Sequence, residues 1–244
     1  VYKVFNLIFR VFLQLEVHGR ENLDELTKQK KTFLVCPNHQ SFLDPFVLCS
    51  NYSFALFKDV FHVGASEFFT NPLMRFIARM LNVVPVNPDT ELMRAMKVSA
   101  VGLKHGKILN IYPEGERAFD GELHSFKKGA AILATELELA IVPVALDGLQ
   151  NVWARNSWKI RPSKVKITIG KPFYASEVVE RVSDTENTDG STPARGALPD
   201  ESSDKQLELS SDKKGPVDAS DETYELVTAH LKQTISDMID EMRR

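Results

Sequence analysis

The chain has 244 residues, 43% of them hydrophobic and 26% charged, which is enough for one sizeable domain and too apolar for a disordered polypeptide. Its net charge of −3 is unevenly divided: residues 183–222 hold eleven acidic and four basic side chains, so the remainder carries +4 and suits an anionic surface or ligand. Two cysteines, Cys36 and Cys49, lie in or beside apolar runs, and the absence of Cys/His clusters, internal repeats and runs of ~20 apolar residues excludes zinc modules, repeat arrays and spanning helices.

Residues 1–14 show helical periodicity. Val1, Val4, Phe5, Ile8, Val11 and Phe12 form one stripe, with Lys3, Asn6, Arg10 and Gln14 opposite. Leu7, Phe9 and Leu13 widen the apolar side. Two readings stand: an amphipathic interfacial helix with basic residues at lipid headgroups, or a helix packed on the body or on a preceding domain. The chain begins with Val, which agrees with a fragment, a processed form or one domain of a longer polypeptide.

Leu15–His18 reads as a short strand, and Gly19 turns the chain. Thr32–Cys36 is a buried strand and Pro45–Asn51 a short helix. Phe61–Gly64 is a strand. Ser66–Met80 reads as a helix, with Phe69, Leu73, Phe76, Ile77 and Met80 at helical spacing and Asn71-Pro72 breaking or kinking its first turn. Val83–Val86 is a strand. Asp89-Thr90 starts a helix that runs to His105 and stops at Gly106. Lys107–Tyr112 is a strand and Ala130–Thr135 is helical. Ile141–Leu146 is a continuous apolar strand of the kind buried on both faces, whereas Val165–Ile169 alternates as an edge or half-exposed strand would.

Strands alternating with helices predict an α/β fold: a mixed, mostly parallel sheet covered by helices, in a single domain over residues 15–182. Residues 183–222, rich in Ser, Asp, Glu, Pro and Gly, read as an acidic disordered linker. Residues 223–244 form a helix whose Tyr224, Val227, Leu231, Ile235, Met238 and Met242 dock back on the body.

The chemistry centres on Asn38-His39-Gln40-Ser41-Phe42-Leu43-Asp44, between the apolar runs Thr32–Pro37 and Pro45–Leu48. A His and an Asp are the parts of a general base and its orienter. Five positions apart on a continuous helix they would diverge by roughly 140°, and on a flat strand they would face opposite sides. They meet only if the chain turns between them, and Pro37 and Pro45 bracket a place where it can turn. The rival reading makes Asp44 a helix N-cap with Pro45 at the first helical position, and His39 an ordinary partly buried histidine. Downstream, the Pro113–Arg117 loop places an acid, a glycine and a cation together after a strand. Glycine lets a ligand approach the backbone, and Arg117 offers a planar fork for phosphate or carboxylate. Read alone, Pro-Glu-Gly is a turn. Phe126-Lys127-Lys128-Gly129-Ala130 adds two cations before a helix, where a solvated helix start is the competing account.

In combination these stretches resemble the glycerolipid acyltransferase family, enzymes that acylate glycerol phosphates and lysophospholipids. Asn38–Asp44 matches the family's Asn-His, four variable residues, Asp motif. Tyr112–Arg117 matches Phe-Pro-Glu-Gly-Thr-Arg with Tyr and Glu substituted. Ile141–Leu146 matches the apolar strand around Val-Pro, and Phe126–Ala130 also matches. The likeness spans roughly residues 15 to 175. The family's second motif departs: Ala65-Ser66-Glu67 and Val86-Asn87-Pro88 lack the two cations found there in relatives. This variant is similar to acyltransferase domains attached to acyl-activating ligases, which work on lysophospholipids, so a covalently attached upstream or downstream domain is an expected partner.

The resemblance implies transfer of a fatty acyl group from acyl-CoA or acyl carrier protein to a free hydroxyl of a lysophospholipid or 1-acylglycerol-3-phosphate, in phospholipid synthesis or remodelling. His39 and Asp44 would be catalytic. Asn38, Glu114, Gly115, Arg117, Lys127 and Lys128 would bind substrate. No metal and no bound cofactor is required, since the thioester is a co-substrate. Membrane lipids are the expected partners, nucleic acid is not, and the enzyme would sit peripherally on the cytoplasmic face of a membrane. Two alternatives come from other classes: a catalytically inactive lipid-binding module, and a thioester hydrolase using Cys36 or Ser41 as nucleophile.

Overall fold

A computed structural model describes residues 9–87, 92–118, 120–153, 159–188 and 220–244. The first eight residues of the expected interfacial helix, and residues 189–219 of the expected acidic linker, lie outside the described residues. The strands are β1 Glu16–His18, β2 Phe33–Pro37, β3 Val60–Ala65, β4 Val83–Val86, β5 Ile108–Asn110, β6 Ala140–Asp147 and β7 Lys166–Ile169. The helices are α1 Arg20–Lys28, α2 Asp44–Ser50, α3 Phe54–Asp59, α4 Pro72–Met80, α5 Leu92–Lys104, α6 Gly129–Glu136, α7 Leu149–Val152, α8 Ala175–Thr188 and α9 Asp221–Arg243.

The seven strands form one sheet in the order β1-β7-β6-β2-β5-β3-β4. Every neighbouring pair is parallel except β6 and β7, which run antiparallel. Of the two readings of the alternating strand, edge or half-exposed, the second holds: β7 lies inside the sheet between β1 and β6. Its alternation survives because one face is buried and the other only partly covered. β2 is central, and all five of its residues are buried. Its side chains divide by parity, as a pleated strand requires. Phe33 and Val35 join a core with Val47, Leu48, Leu56 and Leu149 from α2, α3 and α7, whereas Leu34 and Cys36 join a second core with Leu103, Ala131, Leu231 and Ile235 from α5, α6 and α9. The architecture is an α/β sandwich of three layers with a core on each side of the sheet.

Four helices, α1, α3, α7 and α8, have no counterpart in the sequence reading. α1 is mostly polar, with only Leu23 and Leu26 buried, and α3 has six residues, with Ser53 Oγ accepting the Leu56 N–H as its cap. The expected helix over 66–80 divides into a 3-10 turn at Ser66–Phe69 and α4, because Asn71 caps a new start and Pro72 takes its first position. α8 continues to Thr188, six residues into the stretch read as linker. α9 forms as expected and buries Val227, Leu231, Ile235, Ile239 and Met242 against α6, α8 and β6. No helix among the described residues is long and apolar enough to cross a membrane.

Candidate active site

The site sits where β2 ends at the C-terminal rim of the parallel strands, the usual place for ligands in such sheets. Asn38 continues the ladder past Pro37. Its carboxamide Oδ1 accepts from Leu146 N at 2.7 Å, and its Nδ2 donates to Leu146 O at 3.0 Å. Both functions of the side chain are thus engaged by β6, which fixes where the following residue emerges. That residue is His39.

Between His39 and Asp44 the chain folds back. His39 Nδ1 lies 2.7 Å from Asp44 Oδ2, and the same oxygen accepts the backbone N–H of Gln40 at 2.6 Å and of Ser41 at 2.9 Å. The carboxylate does not cap α2, whose preceding residue is Leu43 and whose N-cap makes no side-chain bond. It turns backward and closes the 39–44 loop. Asp44 is fully buried, whereas the His39 side chain is 19% exposed. A carboxylate only accepts, so the neutral imidazole carries its proton on Nδ1, and Nε2 keeps a lone pair on the far side of the ring. The ring also stacks on Tyr112, centroid to centroid at 4.0 Å and 23° between planes.

The Tyr112–Ala118 segment after β5 holds this imidazole from behind. Glu114 Oε1 accepts the His39 backbone N–H at 2.6 Å, Glu114 Oε2 accepts the His124 N–H at 3.1 Å, and the Ala118 N–H donates to His39 O at 2.9 Å. Burial raises the Glu114 pKa from its ordinary value, and the two backbone donors oppose that rise.

A family model described as Acyltransferase matches residues 14–147, which contain all of these parts. The chain belongs to the acyltransferase family. Among curated proteins this family member is similar to the chloroplastic 1-acyl-sn-glycerol-3-phosphate acyltransferase LPAT1 of Arabidopsis thaliana, 32% identical over 173 residues, covering 68% of this chain and 45% of that protein. It is also similar to the 1-acyl-sn-glycerol-3-phosphate acyltransferase of Pseudomonas aeruginosa, 26% identical, covering 67% of this chain and 60% of that one. The chain spans about half the length of the first two curated relatives it matches, 45% and 47%. Its fold is shared with the crystal structure of the 1-acyl-sn-glycerophosphate (LPA) acyltransferase PlsC from Thermotoga maritima, at TM-score 0.57 and 24% identity over 78% of this chain and 79% of that one.

The remaining expected site residues of this acyltransferase-family chain fall into three groups. Gly115 and Lys127 are exposed, and Gly115 has φ 76, a conformation that favours glycine. A Cβ at Gly115 would lie 2.8 Å from Lys127 Cε and Nζ, so the lysine chain runs directly over the glycine. The Arg117 guanidinium stands 5.6 Å from the Phe68 ring centroid. These groups stand at the mouth. Glu114 and Asn38 do not: both are buried, and their polar atoms are taken up by backbone. Lys128 faces α9, where its ammonium lies 2.8 Å from both Asp221 and Glu225, and those bonds raise its pKa.

The residues of the hydrolase alternative are buried. Burial pushes the Cys36 thiol well above its ordinary pKa, the reverse of what a thiolate nucleophile needs, and Ser41 Oγ accepts the Leu43 N–H at 3.3 Å. Two residues escaped the sequence reading. Tyr112, noted only as a substitution, stacks on the imidazole. Gln40 buries its carboxamide beside the loop with neither atom bonded to another described protein group. An aromatic cluster of Phe42, Phe46 and Trp153 flanks the loop, with centroids 5.9 Å apart.

Proposed function

We propose that the protein is an O-acyltransferase that moves a fatty acyl group from an acyl thioester to the free hydroxyl of a lysophospholipid or 1-acylglycerol-3-phosphate. The observation that carries this reading is the 2.7 Å pairing of His39 Nδ1 with a buried Asp44 at a partly exposed rim. The names of the relatives, all 1-acyl-sn-glycerol-3-phosphate acyltransferases, support the choice of acceptor.

An alcohol is a poor nucleophile near neutral pH. His39 Nε2 takes its proton as the oxygen attacks the thioester carbonyl, and Asp44 stabilises the imidazolium that forms. Collapse of the tetrahedral intermediate expels the thiolate, which recovers the proton from His39. The acceptor hydroxyl occupies the role that a serine plays in covalent mechanisms, so no acyl-enzyme forms. Tyr112 and Glu114 act as positioning residues: one fixes the plane of the ring, the other its backbone. Arg117 and Lys127 bind the acceptor phosphate beside Gly115, over which the Lys127 chain runs. The apolar flanks at Phe42–Phe46–Trp153 and at Phe68 suit acyl chains.

Replacing His39 with Ala is expected to lower turnover by about two to four orders of magnitude with the fold retained, as loss of a general base does. The assay supplies one acyl-CoA with lysophosphatidic acid and a panel of other lysophospholipids, and follows thioester consumption. A folded variant that turns over at the parent rate removes His39 from the mechanism. Arg117→Ala is expected to raise the acceptor KM and leave that of the donor unchanged; the reverse pattern would exchange the two substrates' places.

A further inference from the structure

Large apolar side chains lie in water at one rim. Phe68, Leu73, Phe76, Leu92 and Met93 are 45 to 69% exposed. The parallel topology gathers them. β3 and β4 run in register from His62–Val83 to Ala65–Val86, so the 66–69 turn and the start of α4 follow the C-terminal end of β3, and α5 begins beyond the same end of β4. This is the rim that carries His39 at the end of β2. α4 turns Ile77 and Met80 inward against the core, while Leu73, Arg75, Phe76 and Arg79 are exposed. The Arg117–Phe68 contact joins this patch to the mouth of the site.

Charge selects the occupant. The outer face of α4 carries Arg75 and Arg79, both exposed, and α4 holds no acidic residue; among the described residues of this surface the acid is Glu67, in the 66–69 turn. A short helix that interleaves Leu and Phe with Arg on its exposed face suits a lipid–water interface, where rings and aliphatic chains enter the acyl boundary and guanidinium groups meet phosphates. We propose that the 66–69 turn, the outer face of α4 and the first turn of α5 form the surface by which the protein lies on an anionic bilayer, with the mouth of the site turned to the lipid.

The choice of a bilayer over a partner protein rests on the acyltransferase reading, since a lysolipid must pass from the bilayer to His39 over Phe68 and Arg117. This surface is distinct from the N-terminal segment expected as an anchor. The N-terminal segment joins the opposite edge of the sheet, where Leu13 is buried and its carbonyl accepts the Val165 N–H at 3.0 Å.

Co-sedimentation of the 244-residue chain with phosphatidylcholine vesicles, with and without phosphatidylglycerol, tests the proposal. The chain is expected to bind the anionic vesicles more tightly, and salt to weaken that binding. Leu73→Glu with Phe76→Glu is expected to lower the partition coefficient at least about tenfold. Turnover of a monodisperse short-chain lysophospholipid should remain at the parent rate. Should the double variant misfold, Arg75→Gln with Arg79→Gln is expected to abolish the preference for anionic vesicles. Parent-like binding by folded L73E/F76E overturns the proposal. So does a self-association that this variant disperses when the parent binds no vesicles. Removal of residues 1–8 serves as the comparison: loss of all binding there, with none in L73E/F76E, transfers the role to the N-terminus. If the parent binds vesicles but consumes no thioester with any lysolipid, the acyl-transfer reading fails and the docking surface stands.

Discussion

One carboxylate oxygen organises the 39–44 loop. Asp44 Oδ2 gathers an imidazole Nδ1 and two backbone N–H groups within 2.9 Å, which is how a carboxylate enters a water-excluded site without losing all its hydration partners. Glu114 does the same for the backbone on the other side, one oxygen to each of two N–H groups. Glu114→Gln retains the shape but aims an amide N–H at a backbone N–H. It is expected to lower unfolding free energy by about 1–3 kcal/mol, the usual cost of leaving a buried donor unsatisfied. Urea denaturation measures the loss, and turnover should fall with it because His39 loses its backbone anchor. The Asn-His-x4-Asp spacing, taken with the downstream Tyr112–Arg117 stretch, made the His39–Asp44 pairing legible in the sequence. The duties of Glu114, Asn38 and Tyr112 were not, because each acts on a partner far along the chain: Glu114 on His39, Asn38 on Leu146, Tyr112 on His39. Nothing local in Pro-Glu-Gly distinguishes a carboxylate that faces outward from one that holds the His39 backbone.

At the scale of elements, patterns tied to burial on both faces were readable. β2 and β6 are continuous apolar runs and lie side by side at the centre. α9 was readable from its period alone, although it lies outside the 14–147 segment that the family model matches. It covers β6 and receives Lys128 through Asp221 and Glu225. Leu231→Ala is therefore expected to destabilise the whole domain by about 2–5 kcal/mol, as large-to-small changes in a core do, in chemical denaturation. Two helices, one very short and one mostly polar, were not readable. α3 has too few residues to express a period, and α1 buries only Leu23 and Leu26. The Phe-rich stretch before Met80 was readable as an apolar helix but not in what its face meets: Ile77 and Met80 pack on the core, while Leu73 and Phe76 are exposed. Periodicity reports amphipathicity and is silent on whether the apolar face meets protein or lipid.

For the molecule as a whole, the buried polar groups under the sheet set its response to acid. His62 on β3 is enclosed. Its Nδ1 accepts from Asn110 Nδ2 at 3.1 Å, which leaves the proton on Nε2, 3.5 Å from Cys49 Sγ; Asn110 Oδ1 in turn accepts from Tyr52 OH at 3.2 Å. Burial lowers the His62 pKa from 6.5 to about 4. Above pH 6.5 neither the folded nor the unfolded chain protonates this ring, and its contribution to stability is constant. Below that, the unfolded state binds a proton that the folded state refuses, so stability falls until the folded pKa is reached. The loss amounts to about 3 kcal/mol, at 1.36 kcal/mol per unit of pKa difference. Unfolding free energies measured from pH 7 to pH 4 should show this slope, and His62→Gln should flatten it.

The two thiols bracket the 39–44 turn. Cys36 ends its approach on β2, Cys49 lies in the helix that departs from it, and both are fully buried. An alkylating reagent reaches neither sulfur until strand and helix part. The speed of alkylation would thus count spontaneous openings of the frame beneath the imidazole, and the protein carries a built-in clock for its own breathing.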